Sequence, residues 1–580
     1  MLALYSAAMS ERRPGRSSSE SLPRARLIAC LLLAVAPACA RTEPPAPPRS
    51  SDAALARPTS PAPPLRVTDL AFAGPAGLRE DHSFSRGEHP TCLFSVSGFV
   101  FVERRARVHA DVEVRDGNGA TVLVVKELPV LDGAAPTLRP GLVRGAVSLK
   151  LPAATSPGRH TLRLVLRDLL GGGRGEAEGP FTVLGRPPVR SPKLAVAWLR
   201  PAVLPEQPAG AVVPLAFEAI GLSARRGADG QFRFELGAKV TLRNPRGGVV
   251  DRHEEKLLAR SLPFEPASHP LELQLLLPRT LAPGRHAVEL ELVDRLGGAS
   301  AAGQTAITIV PPRLGVFAIH LHDAAGLPRT TFQLGEQVYL RFSVHGFKTA
   351  ADAVDLAVDL AIGGPDGGVY LAQKDAVVAP RGRGEALARE GRLPAQLPLV
   401  LPSLAPTGGY RVVLRARDRL ARREATAELA FTLQGRAPAP LADFAIDALE
   451  VRDRADLPPG KGDTFVEGRR YHLTVRAGGG KLRSPRKLTY EVQLEGNLRL
   501  RGQDGRLLAE RRGLFRLERT LNYRPLRLLL PAEWTVPPGT PTGLHDLEVE
   551  LLDRYENRVS QLRRRVEVVS AGPAARVTLP

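Results

Sequence analysis

At 580 residues the chain is longer than one hydrophobic core supports, because chains beyond about 250 to 300 residues divide into domains. Hydrophobic residues at 43% and charged residues at 24% are ordinary globular values, which excludes a chain that is disordered throughout. The formal charge of +20 comes mainly from arginine scattered along the sequence, and with aromatics at only 5% it lacks the concentrated footprint of a nucleic-acid binder.

The N-terminus reads as an address. Arg12, Arg13, Arg16, Arg24 and Arg26 precede a short apolar run at 27–36 and then the small residues Pro37, Ala38, Cys39 and Ala40, the layout of a secretory signal. The run is too short for the roughly 20 residues of a membrane-spanning helix. Residues 1–40 are therefore expected to be a targeting segment, translated from Met1 or Met9. Ala36-Pro37-Ala38-Cys39 also resembles a bacterial lipobox, which makes Cys39 the lipidation candidate, with cleavage by an ordinary signal peptidase, or no cleavage, as the alternatives. Residues 41–64, rich in Pro and Ala, read as a solvated tether.

From residue 65 onward one unit recurs four times. Each copy has a strand of alternating apolar residues between two glycines: Gly87 to Gly98, Gly210 to Gly221, Gly335 to Gly346, and Gly468 to Gly479. The inward positions of that strand are Cys92, Phe94 and Val96 in the first copy and Leu473, Val475 and Ala477 in the last. A hairpin follows, with turn residues such as Asp116-Gly117-Asn118-Gly119 and Asn244-Pro245-Arg246-Gly247. Each copy then carries Leu-Pro, a glycine, an alternating strand and an aspartate. The glycines are Gly158, Gly284, Gly408 and Gly543, and the aspartates Asp168, Asp294, Asp418 and Asp553. Between them Leu162, Leu164 and Leu166, and their counterparts in the other copies, alternate with charged residues, the pattern of a half-buried strand.

Short alternating strands, dense turn signals and no helix-length periodicity predict an all-β chain of four tandem antiparallel β-sandwiches in an elongated string. The expected boundaries are 65–185, 193–310, 313–434 and 441–569, with a tail at 570–580.

The strand after each repeated glycine resembles strand F of immunoglobulin-like domains. Gly409-Tyr410-Arg411-Val412 is similar to their tyrosine corner, and His160, His286 and His545 hold the same position in the other copies. The chain from about 65 to 569 is similar to tandem bacterial immunoglobulin-like and fibronectin III-like repeats. Leucine or valine stands where an antibody domain has its strand-F cysteine, so the resemblance implies the sandwich without its disulfide. Cys92 is the one cysteine of the folded part.

The candidate chemistry is sparse. The corner histidines lie a domain apart and cannot converge on one metal, so each is expected to cap its own corner. The four aspartates have few oxygen ligands around them for calcium and are expected to bind backbone amides at strand ends. Cys92 occupies a position filled elsewhere by leucine and is expected to be a buried apolar thiol. Gly171-Gly172-Gly173-Arg174-Gly175 lacks a following helix N-terminus and Gly460-Lys461-Gly462 lacks the preceding glycine of a P-loop, so both read as hairpin loops, not phosphate cradles. Arg511, Arg512, Arg516 and Arg519, with Arg563, Arg564 and Arg565, are the densest positive charge and the candidate basic interaction patch.

No catalytic residue, cofactor or metal is assigned. The expectation is an exported, non-enzymatic cell-envelope protein, in the periplasm or at the outer membrane or cell surface, acting as a spacer and interaction scaffold. The alternatives are an adhesin that binds polysaccharide through the C-terminal domain, and an accessory chain of an envelope enzyme complex. Envelope proteins, polysaccharide and, through a lipid on Cys39, the membrane are the partners considered; nucleic acid is not.

Overall fold

In the computed structural model the alternating segments form strands with matching bounds in every copy: Gly158–Asp168, Gly284–Asp294, Gly408–Asp418 and Gly543–Asp553. Leu164, Leu290, Leu414 and Val549 on these strands are fully buried. Cross-strand they face Val112, Val240, Leu360 and Leu498, so each repeat sets the same register against the strand before its hairpin. The structure describes residues 64–569 apart from 75–76, 80, 101, 103–104, 135–142, 186–190, 351–352, 380–383, 436, 453–462, 481 and 487. The described residues belong to one compact unit.

The fold is all-β, of the immunoglobulin-like sandwich kind. In the first repeat one sheet orders Arg66–Gly74, Thr91–Ser97 and Val143–Ser148. The other runs Ser83–Ser85, Arg174–Leu184, Gly158–Asp168, Arg105–Asp116 and Thr121–Ala134. The chain thus starts in one sheet and crosses to the edge of the other, where Ser83–Ser85 pairs in parallel with Arg174–Leu184. The same crossing recurs at Glu206–Pro208, Thr331–Gln333 and Thr464–Val466. All other strand pairings described are antiparallel. Each first strand also carries a bulge at one equivalent place, between Thr68 and Ala71, Ala197 and Arg200, Phe317 and His320, and Ile446 and Ala448.

In the last three repeats the glycine that closes the second long strand is required twice over. Gly221, Gly346 and Gly479 have φ near +70°, which side chains rarely adopt. A Cβ on any of them would also lie 2.0–2.3 Å from the carbonyl oxygen of Lys193, Arg313 or Asp443, at the entrance to the repeat. The turn therefore seats the incoming chain directly on backbone.

The apolar cores of the first and second repeats run together as one cluster, while the third and fourth have clusters of their own. One short helix, Gly384–Glu390, lies in the third repeat between Val369–Val378 and Arg392–Val400, a departure from the strand-only expectation. Seven residues is too short for a 3.6-residue pattern to declare itself. Among the described residues no helix is long and apolar enough to cross a membrane.

Candidate functional site: a buried ionic junction

The residues singled out by sequence take up local duties. At the third corner Tyr410 donates its hydroxyl to Pro406 O at 2.7 Å, and at the fourth His545 Nε2 reaches Pro541 O at the same distance and the same four-residue span. His160 and His286 instead set Nδ1 against Gly158 O (3.0 Å) and Gly284 O (3.1 Å), only two residues back. Each corner ring is buried.

The aspartates tie two loops together in the first three repeats. Asp168 accepts from Val100 N (2.7 Å) and Leu170 N (3.0 Å), and Asp418 from Lys348 N (2.8 Å) and Ala421 N (3.0 Å). Asp294 accepts from Ser223 N and from Leu296 N and Gly297 N. Burial opposes its charge, yet these bonds outweigh it and hold its pKa below the ordinary carboxylate value. Asp553 accepts from Tyr555 N at 2.9 Å. Cys92 is fully buried, and burial raises its thiol to about 12. Gly171 and Gly172 lie in the turn between two strands. Cys39 and Gly460-Lys461-Gly462 lie outside the described residues.

The structure does not gather the arginines of the last repeat into one patch. Arg511, Arg512, Arg516 and Arg519 lie on Leu507–Leu521, while Arg563, Arg564 and Arg565 lie on Arg558–Val569, and two strands separate them in the sheet. Acids interleave with them. Arg512 pairs with Glu510 (3.0 Å), Arg516 with Glu518 (3.4 Å), and Arg563 with Asp546 (2.5 Å), with Arg565 3.8 Å from the other oxygen of Asp546. Arg564 pairs with Asp463 and donates to Leu449 O. Across the sheet Glu510, Arg499, Glu548 and Arg563 form one row of alternating sign. A run of like charge in sequence becomes a mixed surface because acids on the same strand and on its neighbours supply the opposite sign.

The densest buried charge lies where the first three repeats meet. In the first repeat Glu88 accepts from Ser85 N (2.9 Å) and pairs with Arg79 (2.5 Å), whose guanidinium lies over the Phe84 ring. In the third, Glu336 accepts from Gln333 N (2.8 Å) and pairs with Arg329, which lies over the Phe332 ring. The two constructions are equivalent, each acid following the first repeated glycine, Gly87 or Gly335. They face each other: Ser85 Oγ donates to Glu336 at 3.1 Å and Arg329 Nη1 to Arg86 O at 3.4 Å. A Cβ on Gly87 would lie 2.6 Å from Asp323 Oδ2. The second and fourth repeats carry Ala211 and Arg469 at the acid's position.

The second repeat closes the junction. Arg86 reaches across to Glu218 (3.3 Å) and Ser268 Oγ (3.3 Å). Gln207 is fully buried at the position where the other repeats bury Phe84, Phe332 and Phe465. It accepts from Ala318 N at 3.1 Å, at the bulge of the third repeat's first strand, where Ala318 has φ +51°. The strand Gly315–His322 is consequently buried along its whole length. The first repeat therefore touches the third as well as the second.

Burial perturbs the ionisable groups in this region. Glu88 is pushed up to about 7 by burial and then by the Glu336 charge, against the pull of Arg79. Burial likewise raises Asp323 to about 6 and Glu272 to about 7. His269 is lowered to about 3 by burial, Arg260 and Arg86, and burial lowers His320 and His345 to about 4. His320 Nδ1 donates to Ala318 O (2.9 Å), which fixes its tautomer. Among the described residues no group of three or more His, Cys, Asp or Glu side chains could hold a metal. Sequence reasoning passed over Glu88 and Glu336; an acid after the first glycine in only two of four copies was the available signal.

No family model matches the chain, and no curated protein matches it in sequence. Among solved structures it is similar to Escherichia coli alpha-2-macroglobulin in its native conformation, at 11% identity and TM-score 0.18, over 88% of this chain and 40% of that one. Salmonella alpha-2-macroglobulin reacted with methylamine gives 10% identity and TM-score 0.18 over the same shares. The N-terminal four Ig domains of Dscam1 isoform 4.44 give 11% identity and TM-score 0.18, over 86% of this chain and all of that one. The chain aligns with about two fifths of the length of the bacterial macroglobulins.

Proposed function

We propose that this chain is an exported, non-enzymatic cell-envelope protein whose four tandem sandwiches, 65–185, 193–310, 313–434 and 441–569, act as a spacer and interaction scaffold. The observation that carries the reading is how the charged and polar side chains of the body are used. The corner rings and aspartates bind backbone within their own repeats, and a cluster of buried charges around Glu88 and Glu336 joins one repeat to another. Side chains spent on holding sandwiches together are what a spacer needs, and the same fold leaves loops and sheet edges for partners. The signal-like segment 1–40 and tether 41–64 supply export and reach, with Cys39 as the lipid-bearing residue.

Mass spectrometry of the mature N-terminus, with fractionation of the envelope, tests the export half. An acylated Cys39, or cleavage near residue 40, supports it; an intact Met1 or Met9 in the cytoplasm defeats it. The scaffold half is tested by pull-down from envelope extracts with the full chain and with residues 441–580 deleted. Loss of a reproducible partner on deletion assigns binding to the last repeat. Turnover by the purified chain of an envelope substrate would overturn the non-enzymatic reading.

A further inference from the structure

We infer that the turns bearing Glu88 and Glu336 form a proton-operated latch, closed when the first repeat rests on the third and opened when Glu88 loses its proton. The inference goes beyond the scaffold reading and stands wherever the protein resides.

Three observations carry it. The contact is made by equivalent parts of two repeats, the turn after Ser83–Ser85 and the turn after Thr331–Gln333, and the acid is present in these two copies and replaced by Ala211 and Arg469 in the others. Both acids are buried, Glu88 at 4% exposure and Glu336 at 0%, so their charge state matters to the contact far more than it would on a surface. The charges do not balance. Arg79, Arg329 and Arg86 face four carboxylates, Glu88, Glu336, Asp323 and Glu218, with Arg329 serving Glu336 and Asp323 and Arg86 shared between Glu218 and Asp323. Docking therefore brings one uncompensated negative charge out of water, and one proton taken from solvent onto Glu88 cancels it.

The groups facing Glu88 come from every element packed there. Ser85 and Arg79 belong to its own repeat, and Asp323, Arg329 and Glu336 to the third. From the second come Glu218 and Ser268 through Arg86, with Arg260 and His269 behind. A carboxyl whose pKa is higher in the closed state than in the open one favours closure at low pH, and that contribution is lost as pH rises through the closed-state value. Burial and the Glu336 charge put Glu88 on that side of the sign, as burial does Asp323. The buried histidines of the neighbouring seam, His269, His320 and His345, have the opposite sign and weaken closure as pH falls below about 6.5.

The test is small-angle scattering of the full chain between about pH 6 and pH 8.5, repeated on Glu88→Gln and, separately, Glu336→Gln. The wild-type radius of gyration is expected to rise as pH passes about 7, and each glutamine variant to move that rise up by at least about one pH unit or abolish it. Far-UV circular dichroism at the lowest pH identifies a variant that has not folded, and the other variant then decides. Expansion of both folded variants at the wild-type pH, or a wild-type radius that does not change with pH, overturns the latch.

Discussion

At a single position, the corner, the four repeats reach one end by two chemistries. Tyr410 and His545 both span four residues to a proline carbonyl, so a tyrosine at 545 can reproduce the bond and a phenylalanine cannot. Buried Trp534 reports on the fourth repeat, and replacing the half-exposed Trp198, the only other tryptophan, with phenylalanine isolates that signal. In that background His545→Phe should lower the urea stability read at Trp534 by about 1 kcal/mol, and His545→Tyr by much less. Asp294 offers a pH test. Its folded pKa is depressed, so its contribution is complete above the unfolded value near about 4 and is lost as pH falls through the lower folded value. The protection factors of amides in Gly284–Asp294, taken relative to intrinsic exchange at each pH, should fall as the solution is acidified through that range, whereas Asp294→Asn should be less protected already at neutral pH and respond less to acid.

Among the elements, the glycine turn at the end of the second long strand is the most demanding. Gly479 combines φ +70° with a Cβ position 2.0 Å from Asp443 O, and no rotamer relieves a clash with backbone. Gly479→Ala should therefore cost about 3 kcal/mol or more, read through Trp534 in the Trp198→Phe background. An alanine at Gly119, equally left-handed but with open space around it, should cost less, since only the φ strain remains. The mixed charges of the last repeat's sheet belong to the same scale. The pairs Arg499–Glu510, Arg501–Glu548 and Arg563–Glu548 are partly exposed, and each contributes little on its own.

Over the whole molecule the informative departures are those where one repeat differs from its siblings. Gln207 replaces a core phenylalanine and spends its side chain on Ala318 N of the next repeat. Gln207→Leu should restore an apolar edge to the second repeat while leaving that amide unpaired, loosening the seam by about 1–3 kcal/mol. Faster hydrogen exchange in Gly315–His322, with Ser300–Val310 unchanged or slower, is the expected result, and unchanged exchange in Gly315–His322 would count against this use of Gln207. At the other end Tyr370 stacks on Tyr523 with ring centroids 4.3 Å apart, and Val369 N donates to Asn522 O, which ties the third repeat to the fourth.

What could be read from sequence follows from the range of the interactions involved. Alternation at period two, a glycine needed for a left-handed turn and an aspartate needed to hold a strand end are demands that each residue makes on its near neighbours. They therefore repeat in every copy and show themselves without a structure. The crossing of the first strand between sheets, the separation of the two arginine runs, and the meeting of Glu88 with Glu336 depend on partners as much as 251 positions away. Burial and charge pairing at those places are set by which surfaces the folded repeats bring together, and no local pattern records that.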